Sequence, residues 1–270
     1  MRLTVVGCAG SFPSPDSAAS CYLVEVDDDA GRLWRVALDL GSGAVGPLQR
    51  YAPLEELDAV LLSHLHPDHF LDVCGLYVSR RYRPGGVAES RLPLYGPAGT
   101  GERIQQAYGG ESGGESSGES SDLFSGLDAT FDLRQLADAV SVQIGPLAVT
   151  PYRVRHPVEA YGLRVERRVG RRTQVLAYTG DTDTCDSLLP LARAADVLLA
   201  EASFQEGRDL TRGVHLTGRR AGQLAAAAGC RRLVLTHLPV WTDPDVVLAE
   251  ARAEFPGAVE LARPGAVLLV

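Results

Sequence analysis

The sequence predicts one α/β domain in which β-sheets and α-helices form stacked layers. Short runs rich in Val and Leu, typical of buried strands, alternate with segments whose apolar residues recur at helical spacing. Histidine and aspartate residues follow the ends of several of these runs, where loops on a rigid scaffold usually carry functional side chains. With 270 residues, 45% of them hydrophobic, the chain can bury a sizeable core.

The predicted elements follow the chain in order. Predicted strands cover residues 3–8, 21–26, 33–38, 58–62, 139–144, 147–155, 161–165, 174–178, 197–200, 232–235 and 266–270. Predicted helices cover residues 70–78, 219–228 and 244–255. The basic residues 167–172 form the predicted tip of a hairpin between the seventh and eighth strands.

The chain shows no sign of a second core, so we predict a single domain over residues 1–270. Residues 109–121 consist only of Gly, Ser and Glu. Because this stretch has no apolar side chains to bury, we predict a flexible insertion within the domain. It is not a domain boundary, because candidate functional residues continue on its far side.

Charge and composition exclude several classes of function. The net charge of −8 disfavours a general nucleic-acid binder, and all 26 basic residues are arginine, so arginine pairs reflect compositional bias. The five cysteines are scattered and include no C-x-x-C, which suits reduced thiols in a cytoplasm. The N-terminus resembles a strand rather than a signal peptide, and no apolar run is long enough to span a membrane. We therefore predict a cytoplasmic protein without a membrane partner.

A metal-binding pattern follows the predicted strand at residues 58–62. Residues 63–69 read Ser-His-Leu-His-Pro-Asp-His and hold three of the six histidines in the chain. His64 and His66 lie on the same side of an extended backbone and can bind one ion together. Asp68 and His69 follow as the loop turns, so they face a second position. The alternative, a polar loop with clustered histidines, is much less frequent.

The pattern His64-x-His66-x-Asp68-His69 resembles the signature of the metallo-β-lactamase superfamily. This resemblance implies a four-layer αββα sandwich, with two mixed β-sheets flanked by helices and metals at one edge of the sheets. Asp39 with Gly41 resembles a turn of the same superfamily in which the aspartate supports the metal loop from behind. An aspartate that caps its own turn is an equally good interpretation of Asp39.

The resemblance also implies a complete ligand set. His156 and His237 follow predicted strands, and Asp181 stands in a Thr-Gly-Asp turn like the one whose aspartate bridges both metals in the superfamily. One metal is expected on His64, His66 and His156, and the other on Asp68, His69 and His237, with Asp181 shared. The expected cofactors are two divalent ions, Zn²⁺ first and Mn²⁺ second.

Two metals about 3.5–4 Å apart suit hydrolysis by a hydroxide that bridges them. The sequences Glu201-Ala-Ser-Phe and His215-Leu-Thr resemble motifs of the phosphodiesterase branch that includes ribonuclease Z. There the histidine contacts the phosphoryl group or leaving oxygen, and the glutamate orients it. The predicted catalytic residues are therefore Asp68, Glu201 and His215. An ordinary neighbour of a helix cap is the alternative for His215.

The identity of the diester depends on two further observations. Ribonuclease Z usually carries its arm for transfer RNA between the third histidine and the bridging aspartate, and here residues 156–181 hold only a short hairpin. Residues 5–11, 62–66, 79–82 and 235–242 resemble actinobacterial cyclic-nucleotide phosphodiesterases. This resemblance implies hydrolysis of a 3′,5′-cyclic nucleotide, cAMP or cGMP, to the 5′-monophosphate.

Three alternatives remain open at this point. One is a ribonuclease Z-like endonuclease that processes the 3′ end of transfer RNA, and another is a phosphodiesterase for a different cyclic phosphate. A non-catalytic metal-binding protein is the third. The expected partner is a small-molecule phosphodiester rather than a nucleic acid, and a homodimer is one option for the assembly.

Overall fold

The structure is a computed structural model that describes residues 1–84, 90–109 and 126–270. The predicted insertion at residues 109–121 lies outside the described residues except for Gly109. The strands are β1 (Arg2–Ala9), β2 (Ala18–Ala19), β3 (Cys21–Asp27), β4 (Leu33–Leu38), β5 (Ala59–Leu61), β6 (Leu92–Gly96), β7 (Phe131–Gln135), β8 (Val142–Ile144), β9 (Leu147–Arg153), β10 (Tyr161–Val169), β11 (Arg172–Tyr178), β12 (Val197–Glu201), β13 (Arg232–Thr236), β14 (Ala258–Leu261) and β15 (Val267–Leu269). The helices are α1 (Val45–Leu48), α2 (Pro67–Phe70), α3 (Val73–Arg81), α4 (Thr100–Tyr108), α5 (126–130), α6 (Leu188–Ala192), α7 (Gly218–Ala227) and α8 (Pro244–Glu254).

The strands form two mixed sheets. One has the order β15-β1-β3-β4-β5-β6-β7, with β2 paired to β1, and the other has the order β14-β13-β12-β11-β10-β9-β8. Most strands that lead to the predicted site residues are parallel to a neighbour, as β4 is to β5 and β12 is to β13, whereas β9, which leads to His156, is antiparallel to both of its neighbours. Parallel neighbours end at the same edge of a sheet, so their following loops meet there.

Three apolar clusters separate four layers. On β3, Tyr22 and Val24 face the cluster between the two sheets, while Cys21 and Leu23 face the cluster under α1, α3 and α4. The third cluster packs α6, α7 and α8 against the second sheet. This alternation matches the two-residue period of a strand buried on both faces. The αββα sandwich expected from the sequence is confirmed.

Several elements differ from their predicted bounds. The sequence prediction missed β6, β7 and α4, which lie on either side of the Gly/Ser/Glu stretch. The hairpin strands β10 and β11 pair as far as Val169 and Arg172, so the predicted basic tip at residues 167–172 shortens to a turn at 170–171. Backbone pairing needs no apolar side chains there, which is why the pattern ended early.

The first predicted helix begins later than expected. A separate short helix, α2, takes up Phe70, and α3 begins at Val73.

No helix among the described residues combines the length and apolar character needed to cross a bilayer. The single domain over residues 1–270 stays a prediction, since residues 85–89 and 110–125 lie outside the described part of the chain.

Candidate metal centre

The strand β5 delivers the metal motif to one edge of the sandwich. Its three residues are fully buried, and the chain leaves the sheet at Leu62 and Ser63. His66 has extended backbone and caps α2, whose first turn holds Asp68 and His69. The sequence prediction that these two residues lie on a turning loop is therefore wrong. Pro67 takes the first helical position, where its fixed φ and missing N–H are tolerated, and this starts the helix.

Three histidines converge as a first group. The Nε2 atom of His64 lies 3.0 Å from Nδ1 of His66, and Nε2 of His156 lies 3.1 Å from the same atom. His64 is fully buried, whereas His66 and His156 are half-buried. The first group therefore faces the opening of the site.

The second group lies deeper and contains Asp68, His69, Asp181 and His237, all buried. Nε2 of His237 lies 3.2 Å from Nε2 of His69 and 3.1 Å from Oδ2 of Asp68. The carboxylate of Asp181 reaches both groups, with Oδ1 3.3 Å from Nε2 of His69 and Oδ2 3.8 Å from Nε2 of His64. The structure thus brings together all seven residues predicted as metal ligands, while their role as ligands stays a prediction.

In His69, His156 and His237 the other ring nitrogen has a protein partner. Nδ1 of His69 lies 2.8 Å from Oδ2 of Asp39, Nδ1 of His156 lies 3.0 Å from the carbonyl oxygen of Val214, and Nδ1 of His237 lies 2.8 Å from the Ser203 hydroxyl. When one nitrogen donates to such a partner, the other keeps its lone pair for an ion. These contacts orient the rings toward the two groups.

Asp39 supports the metal loop from behind. Its buried carboxylate accepts four hydrogen bonds: from Ser63 N–H at 2.6 Å, Ser63 Oγ at 2.8 Å, His69 Nδ1 at 2.8 Å and Tyr178 OH at 2.7 Å. It has a φ of 57°, a conformation that aspartate tolerates better than most residues. The partners come from both sheets, so the supporting role is the better of the two interpretations of this residue.

The electrostatics of the site keep the first group neutral. Burial lowers the pKa of His64, His66 and His156, in His64 well below the ordinary value. Neutral imidazole is the form that binds a metal. Burial would raise the pKa of Asp68, but the neighbouring imidazoles of His237 and His69 reverse this and hold that pKa at about 2. The carboxylate is therefore ionised at neutral pH.

The donor set fits divalent cations. Two ligands bound to one tetrahedral zinc lie about 3.3 Å apart, and the closest donor pairs of both groups lie 3.0–3.2 Å apart. In addition, Oδ1 of Asp181 is buried without a hydrogen-bond partner among the described residues. Buried lone pairs that face one another at this distance are costly unless a cation or proton lies between them.

Glu201 and His215 form a pair beside both groups. Nδ1 of His215 lies 2.9 Å from Oε1 of Glu201, and the His215 ring centroid lies 5.6 Å from those of both His156 and His237. The buried Glu201 carboxylate also accepts from the N–H groups of Thr182 at 2.9 Å and Ser203 at 3.1 Å. These contacts fix the glutamate, and the glutamate fixes the imidazole.

The charge state of His215 depends on this glutamate. Burial alone would lower the pKa of His215, but the carboxylate of Glu201 reverses this and raises the pKa to about 9. Ligand atoms of His215, His156 and Asp181 also lie within 4.8 Å of one another, so the geometry allows His215 to ligate as well. The arrangement therefore permits a proton donor or a further ligand at this position.

Sequence reasoning missed the residues that orient the ligands. Ser63 and Ser203 lie beside residues of recognised motifs. Serine is common in loops, so this position alone does not indicate that either hydroxyl orients a ligand. Tyr178 closes the strand before the Thr-Gly-Asp turn, and nothing in its spacing indicates a partner on the opposite sheet. That contact joins Tyr178 to Asp39, 139 positions away, and only the folded chain reveals it.

Comparison with known families agrees with this geometry. The model of the β-lactamase superfamily domain matches residues 35–238, which include β4 through the ligand after β13. The chain belongs to the β-lactamase superfamily. Like other members of the superfamily, it is a metallo-hydrolase, with a histidine and aspartate cluster able to bind metal ions.

Three relatives show how far the similarity extends across the superfamily. An uncharacterised protein of Mycobacterium leprae is 44% identical over 262 residues, which cover 96% of this chain and 85% of the relative. The probable metallo-hydrolase YhfI of Bacillus subtilis is 33% identical over 268 residues and 99% of both chains. Ribonuclease Z of Myxococcus xanthus is 29% identical over 319 residues, covering 98% of this chain and 96% of the relative.

Two solved structures share this superfamily fold. The crystal structure of YhfI has a TM-score of 0.81 at 30% identity and covers 99% of both chains. Human tRNase Z, short form, has a TM-score of 0.75 at 20% identity and covers 100% of this chain and 99% of the human chain. At that identity the human structure supports the fold alone.

Proposed function

We propose that this metallo-hydrolase is a phosphodiesterase that hydrolyses 3′,5′-cyclic nucleotides, such as cAMP or cGMP, to 5′-monophosphates. The observation that carries the proposal is the pair of Glu201 and His215 beside both ligand groups. A phosphodiester needs neutralisation of its phosphoryl oxygens and a proton for the leaving oxygen. The pair of Glu201 and His215 is suited to supplying the proton, and the ligand groups are suited to neutralising the phosphoryl oxygens.

In the proposed reaction, water adds to phosphorus, the P–O3′ bond breaks, and the 3′-oxygen leaves as a hydroxyl group. Two divalent cations held by the two groups would supply a hydroxide at neutral pH and neutralise the phosphoryl oxygens. His215 donates the proton from Nε2 to the 3′-oxygen, because Glu201 occupies its Nδ1 side. Asp68, whose Oδ2 lies 3.1 Å from Nε2 of His237, would hold the second cation together with that imidazole. The half-buried His66 and His156 line the side from which a diester can approach.

Two features favour a small diester over transfer RNA. The hairpin between His156 and Asp181 consists of β10 and β11 with a two-residue turn, which is too short to form an arm that reaches a large RNA. The net charge is −8, whereas a polynucleotide substrate favours a basic surface. A cyclic nucleotide carries one negative charge, which cations at the centre would neutralise without a basic surface.

A second candidate, a ribonuclease Z-like endonuclease, is supported by the relative of that name in Myxococcus xanthus. The same pair of Glu201 and His215 would serve that reaction. A phosphodiesterase for another cyclic phosphate also retains every residue of the centre. The preferred substrate therefore distinguishes among these candidates.

The proposal is tested with a substrate panel on protein loaded with defined divalent metals. The panel contains cAMP, cGMP, bis(p-nitrophenyl) phosphate and a transfer RNA precursor, and products are separated by chromatography. The proposal expects 5′-AMP and 5′-GMP as products, with little cleavage of the precursor. Precursor cleavage at its 3′ trailer without turnover of either cyclic nucleotide would replace the proposal by the ribonuclease candidate. The metal-loaded His215→Ala variant is the matched control for contaminating phosphodiesterases.

A further inference from the structure

Two exposed aromatic side chains lie on loops that approach the metal centre, and they take no part in the proposed chemistry. Phe12 is 42% exposed and Trp241 is 58% exposed, and their ring centroids lie 5.4 Å apart with an angle of 50° between the planes. We call these two side chains the aromatic pair. Aromatic rings that pack on each other and still face solvent are typical of a binding surface.

The backbone ties the aromatic pair to the metal centre. The N–H of Ser11, the residue before Phe12, lies 3.5 Å from Nε2 of His237, the atom that faces the second ligand group. Trp241 follows His237 by four residues in the same loop. Phe12 is thus one residue, about 3.8 Å along the backbone, beyond the residue that approaches the predicted ligand.

The two loops that carry the aromatic pair run side by side. Gly10 N–H donates to the carbonyl oxygen of Leu238 at 3.2 Å, and Ala9 and Leu238 form a parallel bridge. A Cβ atom at Gly10 would lie 2.4 Å from the carbonyl oxygen of His237, so only glycine permits this approach. The loops therefore lead together from His237 to the aromatic pair.

Hydrogen bonds hold the Trp241 loop in place. Arg208 donates from its guanidinium to the carbonyl oxygen of Trp241 at 3.0 Å. The hydroxyl of Thr242 donates to the carbonyl oxygen of Ser203 at 2.7 Å, and the hydroxyl of Ser203 lies 2.8 Å from Nδ1 of His237. Ser203 thus connects the aromatic pair to the orientation of a predicted ligand. A surface ordered in this way loses little conformational entropy when a flat ligand binds.

We propose that the aromatic pair binds the nucleobase of the substrate by stacking while the phosphate lies at the metal centre. This inference rests on the proposed function, since it names the part of a nucleotide that lies outside the centre. Neither ring carries a charge, and every base has a π-face, so the aromatic pair accepts adenine and guanine alike. Substrates with a planar aromatic base are therefore preferred over diesters without one.

A kinetic test compares cAMP with methyl riboside 3′,5′-cyclic phosphate, which has the same phosphate ring and no base. Trp241→Ala and Phe12→Ala are each expected to raise the KM for cAMP by about 10–100-fold, the usual worth of stacking one base. The kcat for cAMP and both constants for the baseless substrate are expected to change by less than threefold. Val240→Ala is the matched control, because Val240 is 55% exposed in the same loop and has no ring. Equal effects on both substrates, or none on either, would overturn the inference.

A binding test separates this inference from the proposed function. The chain has two tryptophans, so Trp34→Phe leaves Trp241 as the only one. We expect 5′-AMP to quench its fluorescence and ribose 5-phosphate to leave it unchanged. Quenching by 5′-AMP without turnover of any cyclic nucleotide supports the aromatic pair and refutes the proposed function. If cyclic nucleotides are hydrolysed but 5′-AMP and ribose 5-phosphate change the fluorescence equally, base stacking on the aromatic pair is refuted. It is also refuted if Trp241→Ala changes only the oligomeric state of the protein.

Discussion

Replacement of His215 by alanine separates the chemistry from metal binding. In the proposed reaction, its imidazole donates the proton to the leaving oxygen, and its Nδ1 contact with Glu201 at 2.9 Å holds the ring in place. Each of the two ligand groups is complete without His215. We therefore expect His215→Ala to retain about two ions per chain and to lose roughly 10²–10⁴-fold in kcat, the usual worth of a positioned proton donor.

Glu201→Gln is expected to have a smaller effect in the same assay. The carboxylate accepts from His215, Thr182 and Ser203, and an amide retains one oxygen for two of these donors. The imidazole remains, so the loss in kcat is expected to be roughly 10-fold, near the lower limit of effects from groups that orient a functional residue. The double variant is expected to be little worse than His215→Ala, because residues that act as a unit are not additive.

The assay measures steady-state hydrolysis of cAMP together with elemental analysis of the same samples. A diester with a p-nitrophenolate leaving group needs little protonation, so its kcat is expected to be far less sensitive to His215→Ala. Loss of one ion in His215→Ala would show that His215 is a ligand. Unchanged cAMP turnover in that variant would refute the assignment of a proton donor.

The remaining predictions concern how the centre is built. Asp39→Asn leaves an amide against three donor residues and is expected to weaken metal affinity about 10–100-fold, as measured by competition with a chelator. A Cβ at Gly180, where φ is 57°, would lie 2.7 Å from the carbonyl oxygen of Tyr161. Gly180→Ala is therefore expected to displace Asp181 and reduce metal content. The control is Gly170→Ala, because Gly170 also has a positive φ but lies in open space. Burial lowers the pKa of His66 and His156, so protons compete with an ion at the first ligand group only in acid. The metal content of that group is expected to be constant near neutrality and to fall below about pH 6. Loss of activity with metal still bound would contradict this.

The sequence was informative where chemistry and periodicity coincide. The histidine-rich motif after β5 names four of the residues in the centre, because the chain has only six histidines and three fall in seven positions. The buried strands β3 and β12 were predicted within one residue because their apolar runs are continuous. Family resemblance then connected these strands to one edge of a sandwich.

Other parts could not be predicted from local patterns. The helix α2 at the metal motif has only four residues, too few for an apolar period to appear. The sequence left two equal interpretations of Asp39, because one of its hydrogen-bond partners is Tyr178, 139 positions away on the other sheet. The aromatic pair was likewise invisible, since Phe12 and Trp241 meet only when the first and last thirds of the chain pair through Gly10 and Leu238.

The most direct test of a binuclear phosphodiesterase is a metal titration of the metal-free protein during turnover of cAMP. Zn²⁺ or Mn²⁺ is added in fractions of an equivalent, and 5′-AMP is measured after each addition. The two ligand groups, joined by Asp181, predict that activity rises to a plateau at two ions per chain. Full activity at one ion per chain, or none at two ions, would contradict the account.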